Sequence, residues 1–284
     1  MDIVFVILHY KTDRDTIECV ESIRSKIDTA GYRIVIVDNA SANGSYEALQ
    51  KEYSGADDIA LISNSENLGF ARGLNVGIDY ARKHFDPDFI ALINNDTQLI
   101  SKNITETINQ KYRDFKFAVF GPMMITADGL CDVNPVRNKP RDLNQTKAML
   151  AHYRQIQKMC NLHLYWLYVF LQKHKRKKPK AVKTAHLSDQ VDWRLHGAFM
   201  VLSREYFSEF EGLNPETFLY TEEEILLLSI LKKGLHTLYS PDVIIYHKEN
   251  SSTDSQFPNS AERARFVSKH SIDSLNINIK MLNG

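Results

Sequence analysis

The feature that most constrains this chain is a rhythm of short apolar runs. Five of them, Ile3–Leu8, Ile34–Val37, Ile59–Ile62, Phe89–Ile93 and Phe117–Phe120, are rich in β-branched and aromatic residues and bounded by polar turns. Such runs read as strands covered on both faces. Between them lie segments of helical character, Asp13–Asp28, Ser45–Tyr53, Phe70–His84 and Lys102–Arg113. Strand, helix and strand in succession predict an α/β fold: a mostly parallel sheet with right-handed crossovers, flanked by helices. Ligands of such sheets sit beyond the carboxyl ends of the strands. The chain has 284 residues, 43% of them hydrophobic, enough for one large domain with appendages.

The second half is organised differently. Residues from about 135 to 186 carry no strand signal and read as a partly helical insertion. A strand is expected at Ala198–Leu202, a helix at Glu222–Lys233 and a strand at Val243–Tyr246. Thr221 and Glu224 have capping-box spacing, and Gly234 stands where a helix ends. We therefore expect a main domain over 1–250, with the insertion inside it, and a helical tail over 251–284.

Composition narrows the function classes. Lys plus Arg equals Asp plus Glu, 35 each, so the overall charge gives no nucleic-acid footprint. The three cysteines, Cys19, Cys131 and Cys160, form neither a metal pattern nor a disulfide framework, as expected of a reducing cytosol. The first residues, MDIVFVILHY, read as a buried strand rather than a leader or a membrane span.

Polar residues cluster where the runs stop. His9, Tyr10 and Lys11 follow the first, and Asp38-Asn39-Ala40-Ser41 the second. An aspartate there can accept hydrogen bonds from a base or ribose beside a stacking aromatic; equally, it can form an Asx turn completed by Asn43-Gly44. In Asn67-Leu-Gly69-Phe-Ala-Arg72-Gly73-Leu-Asn75-Val-Gly77 a glycine turn precedes a helix start, which favours an anion such as a diphosphate. The alternative is tight packing of helix on sheet through Gly73 and Gly77, which accounts for Gly77 but poorly for Asn67 and Asn75. Asn94-Asn95-Asp96 ends the fourth run and can offer a carboxylate to a hard cation. Glu222-Glu223-Glu224 either complements a helix dipole or supplies a base. His247, at a strand end, suits a metal shell or a protein surface.

The order of these segments resembles the inverting, GT-A-fold glycosyltransferase family 2, above all its rhamnosyl-, galactofuranosyl- and capsule-type members. The resemblance rests on Val6-Ile-Leu-His-Tyr10, Val35 to Ser41, Asn67 to Asn75, Leu92 to Asp96, Gly197-Ala-Phe-Met, Phe218 to Glu224 and Ser240 to His247. It implies a donor that is a nucleotide-diphosphate sugar, UDP- or dTDP-linked, and a glycan or lipid-linked acceptor of bacterial capsule or exopolysaccharide type. Asp38 would contact the base with Tyr10 nearby, and Asn67, Gly69, Arg72, Asn75, Asn94 and Asn95 would line the nucleotide-sugar pocket. Asp96 would close a DXD-like motif for Mn²⁺ or Mg²⁺, with His247 completing the shell. Glu223 would be the general base, with Glu222 beside it; Gly197 and Ala198 would flank the transferred sugar, with Trp193 and His196 as sugar or acceptor contacts. Two departures stand out. Asn94 and Asn95 fill the first two places of the metal motif, and Ile225 stands where relatives often carry a second acid, so either Glu224 substitutes or the base shifts by one.

The insertion adds an address. Residues 161–172, Asn-Leu-His-Leu-Tyr-Trp-Leu-Tyr-Val-Phe-Leu-Gln, are too few to span a bilayer, and the basic run 174–180 follows. Aromatics beside cations suit the headgroup layer of an anionic membrane, so peripheral contact through 161–180 on the cytoplasmic face is expected; the alternative is a core helix with a solvated charge run. Two other readings compete: a sugar-phosphate nucleotidylyltransferase, disfavoured by the lack of a glycine-rich basic loop after the first strand, and a degenerate nucleotide-sugar or glycan-binding scaffold.

Overall fold

A computed structural model describes residues 2–27, 31–174, 185–248 and 259–284. Its strands are β1 (Ile3–His9), β2 (Tyr32–Asp38), β3 (Ile59–Ser63), β4 (Phe89–Asn94), β5 (Thr97–Leu99), β6 (Val119–Thr126), β7 (Gln190–Val191), β8 (Phe199–Ser203) and β9 (Thr237–His247). The helices are α1 (Asp13–Lys26), α2 (Ser45–Glu52), α3 (Gly69–Phe85), α4 (Ile104–Phe115), α5 (Leu143–Asn161), α6 (Tyr165–His174), α7 (Arg204–Phe207), α8 (Glu222–Lys232) and α9 (Ser260–Asn283).

The sheet runs β3-β2-β1-β4-β8-β6-β9-β5, with β7 on β9. The first four strands are parallel, as the rhythm predicts. β8 is antiparallel to both β4 and β6, while β6 and β9 are parallel to each other. Because β8 follows the insertion rather than a crossover helix, nothing obliges it to run parallel.

Continuous apolar strands bury both faces. Ile3, Phe5 and Ile7 pack with Cys19, Val20 and Ile23 of α1, whereas Val4 and Val6 pack with Leu74, Ile78 and Ala81 of α3. Each such side chain contributes roughly 1.5–3 kcal/mol on burial. α3 lies close on β1 because Gly73 and Gly77 face it: a Cβ at Gly77 would stand 2.3 Å from Val6 Cγ1, and one at Gly73 2.7 Å from Leu8 Cδ1. The packing explanation of these glycines therefore holds.

Three local expectations need correction. The strand expected at Phe117–Phe120 runs instead over Val119–Thr126, and the one expected at Val243–Tyr246 over Thr237–His247. Their prolines hid them: Pro122 and Pro241 sit at a register shift between β6 and β9, where a missing N–H is tolerated. The Thr221–Glu224 capping box does not form. Thr221 has φ 64° and caps nothing with its side chain, and Glu224 bonds elsewhere. Gly234, with φ 69°, does end the helix, and Leu235 N–H closes back on Ile230 O.

The insertion supplies α5 and α6. α5 opens on a reciprocal Asp142–Gln145 capping box and packs along α9, which also touches α8. α6 holds Trp166 and Phe170 at 66% and 53% exposure. Among the described residues no helix is long and apolar enough to cross a membrane. Residues 175–180, most of the expected basic run, lie outside the described residues.

Candidate active site

The site is assembled at the carboxyl ends of β1, β2 and β4 and at the loops entering β8 and α8. At the β1–β2 end His9 is fully buried: Nδ1 meets Thr16 Oγ1 at 2.7 Å and Nε2 meets Ser45 Oγ at 2.9 Å. Burial lowers its pKa, against a smaller upward pull from Asp38. Asp38 accepts from Ser41 N–H at 3.2 Å and from Ser63 Oγ at 3.2 Å. Its carboxylate is tied in place by the N–H three residues on, not by the two-residue step of an Asx turn. Tyr10, just past the end of β1, is half-buried, with Lys11 Nζ 4.9 Å from its ring centre.

Asn39, which sequence reasoning passed over, organises the next loop. Its Nδ2 donates to Asn67 Oδ1 and Gly69 O, both at 3.0 Å, and its Oδ1 accepts from Leu68 N–H at 3.0 Å. Asn67 Oδ1 also accepts from Gly69 N–H at 2.9 Å. Phe70 N–H donates to Phe218 O at 2.7 Å, and a Cβ on Gly69 would stand 2.2 Å from that oxygen. Three N–H groups at the start of α3 are therefore consumed by protein. These bonds hold the loop and the helix start in one shape, with Asn67 and Gly69 as part of that frame. Asn75 is likewise committed: its amide clamps Leu213 through both N–H and C=O, at 2.7 and 2.8 Å. Arg72, in the first turn, is exposed.

At the end of β4, Asn94 N–H pairs with Ala198 O at 2.9 Å. Asn95 is buried, and its Nδ2 donates to Thr12 Oγ1 at 2.8 Å and Thr16 Oγ1 at 3.2 Å, so it braces α1. Asp96 Oδ1 lies 3.1 Å from His247 Nε2, an arrangement fixed because Thr97 of β5 pairs with His247 of β9. His196 stacks edge-on with His247, ring centres 5.6 Å apart. Its Nδ1 accepts from Ala198 N–H at 3.1 Å, which places the proton of the neutral ring on Nε2. Burial lowers the His196 pKa, with Glu223 and Asp96 pulling it up and His247 and Arg194 pushing it down. Glu223 Oε1 accepts from Gly197 N–H at 3.3 Å, and a Cβ there would stand 3.1 Å from that oxygen, so glycine leaves the carboxylate room. Trp193 packs edge-on against His186.

The three consecutive glutamates go three ways. Glu223 faces Gly197 and His196. Glu222 turns into a separate cavity of about 900 Å³ between α3, α8 and α9, lined also by Ala71, Tyr206 and Phe210. There its Oε1 is shut off from solvent without a partner, and burial, then the Glu223 charge, push its pKa up to about 8. Glu224 is fully buried between Arg141 Nη1 at 2.6 Å and Arg194 Nη1 at 2.9 Å. Just before them Tyr220 and Thr221 both hold positive φ, 70° and 64°. Two such residues in a row cost on the order of 1–2 kcal/mol each, and strain of this kind gathers at functional sites.

A reversed β8 set beside a parallel half-sheet brings the carboxylates of Asp96 and Glu223 to one end of the sheet. The family model for glycosyl transferase family 2 matches residues 5–209, and the chain belongs to that family. The structure is similar to that of GalNAc-T7 solved with UDP, GalNAc and Mn²⁺, at TM-score 0.60 and 12% identity over 89% of this chain and 45% of that one. It is also similar to residues 1–349 of S. aureus TarS in complex with UDP, at TM-score 0.53 and 12% identity over 94% of this chain and 65% of that one. The chain thus spans less than half of GalNAc-T7 and just under two thirds of that TarS fragment. At this identity the likeness shows the GT-A fold. No curated protein matches the sequence significantly.

Proposed function

We propose that the protein transfers a sugar, with inversion, from a UDP- or dTDP-linked donor to a glycan or lipid-linked acceptor of surface-polysaccharide type. One observation carries the reading. Asp96 and Glu223, on distant parts of the chain, converge on one pair of stacked histidines, His247 and His196.

Glu223 is the group suited to be the base. Gly197 N–H fixes one carboxylate oxygen, and the carboxylate takes the proton of the acceptor hydroxyl. The acceptor oxygen forms its bond to the anomeric carbon as the bond to the donor phosphate breaks on the opposite face. The electron pair leaves with the nucleoside diphosphate. Glu224 is unsuited to this role, because two guanidinium groups hold its carboxylate. The Asp96–His247 pair fits a divalent cation: 3.1 Å is close to the spacing of about 3 Å between neighbouring ligands at bonds of about 2.1 Å. Among the described residues no cluster of three or more His, Cys, Asp or Glu is placed to hold a metal; Asp96 and His247 are the residues that would hold it. A bound Mn²⁺ or Mg²⁺ would neutralise charge on the leaving diphosphate.

The test is incubation with a panel of nucleotide sugars, Mn²⁺ and acceptor extracts. Release of nucleoside diphosphate with transfer is expected; pyrophosphate chemistry, or binding without turnover, would overturn the reading.

We place the enzyme at the cytoplasmic membrane face. Trp166, Phe170 and Leu171 of α6 are exposed, and the basic run to residue 180 follows in sequence. Trp166→Asp is expected to weaken binding to vesicles containing anionic lipid. Unchanged binding would refute the placement.

A further inference from the structure

The arginines around Glu224 are more numerous than that carboxylate needs. Arg141 and Arg194 both bond it through Nη1, and Arg141 N–H donates to its Oε1 as well. Arg194 keeps a buried Nε–H with no partner. Residue 137, also arginine, sits directly opposite Arg194 in an isolated antiparallel bridge. Both of the bridge's hydrogen bonds involving Arg194 are made at 2.8 Å: Arg194 N–H to Arg137 O, and Val136 N–H to Arg194 O.

Residues directly across an antiparallel pair project to one face, and like charges there are destabilising. The fold nevertheless holds Arg137 against Arg194. Among the described residues the Arg137 guanidinium bonds neutral Gln145 Oε1, at 3.2 Å. The nearby Asp142 carboxylate caps α5 through Gln145 N–H. Arg137 and Arg194 both lie close enough to Arg141 to lower its pKa, so three guanidinium groups gather where Glu224 is bonded by two of them, and Arg194 Nε–H is left unused at a desolvated position. That arrangement suits a planar or tetrahedral oxyanion bound by several N–H groups.

The cluster also has a defined side. The loop bearing Arg194 enters β8, which lies on the far flank of β4 from β1 and β2. Asp38 and Tyr10 are on the near flank, and Arg194 is close enough to His196 to depress its pKa. The positive charge therefore lies on the base side of the site, across Asp96 from the loops expected to hold the nucleotide.

We propose that Arg137, Arg141 and Arg194 form an anion subsite for the acceptor, and that the acceptor carries a phosphate or carboxylate group near the hydroxyl that is glycosylated. This rests on the transferase reading and deepens it by giving the acceptor's charge.

The test is calorimetric titration of the full chain with inorganic phosphate, run with saturating UDP and Mg²⁺ so that any diphosphate pocket is filled. Phosphate is expected to bind under these conditions. Arg137→Ala and Arg194→Lys should each weaken it about ten-fold, the loss of one charge-assisted contact, while UDP affinity stays within about two-fold. Arg194→Lys keeps the Glu224 ion pair. Should it nonetheless unfold, Arg137→Ala decides the matter, because that side chain bonds Gln145, while the ion pairs of Glu224 are with Arg141 and Arg194. Absence of phosphate binding, equal binding by the variants, or displacement of phosphate by UDP would each overturn the acceptor subsite. Failure of UDP itself to bind would instead sink the nucleotide-sugar reading, and the phosphate titration would still decide the anion site.

Discussion

The two flanks of the site are built on opposite terms. On the β1–β2 flank the polar side chains satisfy one another: His9 with Thr16 and Ser45, Asp38 with Ser41 and Ser63, Asn39 with Asn67, Leu68 and Gly69. On the β8–α8 flank buried polar atoms are left over, namely Arg194 Nε, Thr221 Oγ1, Glu222 Oε1 and His247 Nδ1. A saturated network fixes shape and resists change, whereas unmatched donors and acceptors hold free energy in reserve for a ligand or a proton. The first flank is a frame and the second is where chemistry is expected.

The largest effects should fall on the second flank. Glu223→Gln and Asp96→Ala should each lower transfer by roughly a thousand-fold with unchanged circular dichroism and melting. Near-normal turnover in Glu223→Gln would remove the base assignment. On the frame the reverse is expected. Asn39→Ala strands Leu68 N–H and Gly69 O and should cost about 2–3 kcal/mol in urea unfolding, with activity lost only as the fold is lost.

Glu222→Gln separates the flanks by pH. The Glu222 pKa is raised on folding, so the stability from its bound proton is complete below the ordinary carboxylate range and is lost as pH rises through about 8. The substitution should therefore stabilise by roughly 2 kcal/mol at pH 8.5 and hardly at all at pH 4. A gain equal at both would show that Glu222 is not held protonated. The smallest effect is Thr221→Gly, which relieves a positive φ and should stabilise by at most about 1 kcal/mol in the same melts.

How much of this was legible in sequence depends on the reach of each cause. β1, β2, β4 and α3 follow from local pattern, because continuous apolar runs and the glycine spacing act within a few residues. That Asp96 and His247 stand at strand ends was also readable, whereas their approach to one another across 151 positions was expected only from the family resemblance. Asn67 and Asn75 were not readable as scaffold. Asn75 is explained only by Leu213, 138 positions away, and the start of α3 only by the carbonyl of Phe218. The fate of Glu224 depended on Arg141, 83 positions away, inside an insertion whose placement no periodicity announces. Prolines at the β6–β9 register shift masked two strand boundaries for the same reason: only the partner strand reveals that the missing N–H is tolerated.

The contact between α5 and α9 has a consequence for birth of the molecule on the ribosome. Arg265 Nη2 holds Cys160 O at 2.9 Å across 105 residues of chain. At synthesis rates of ~5–20 residues per second, α5 emerges some ~5–20 s before the helix that covers it. During that interval its inner face, and with it the loop carrying Arg141, has no α9 to settle on. The loop carrying Arg141 thus settles late in synthesis, after β1 to β4 have emerged.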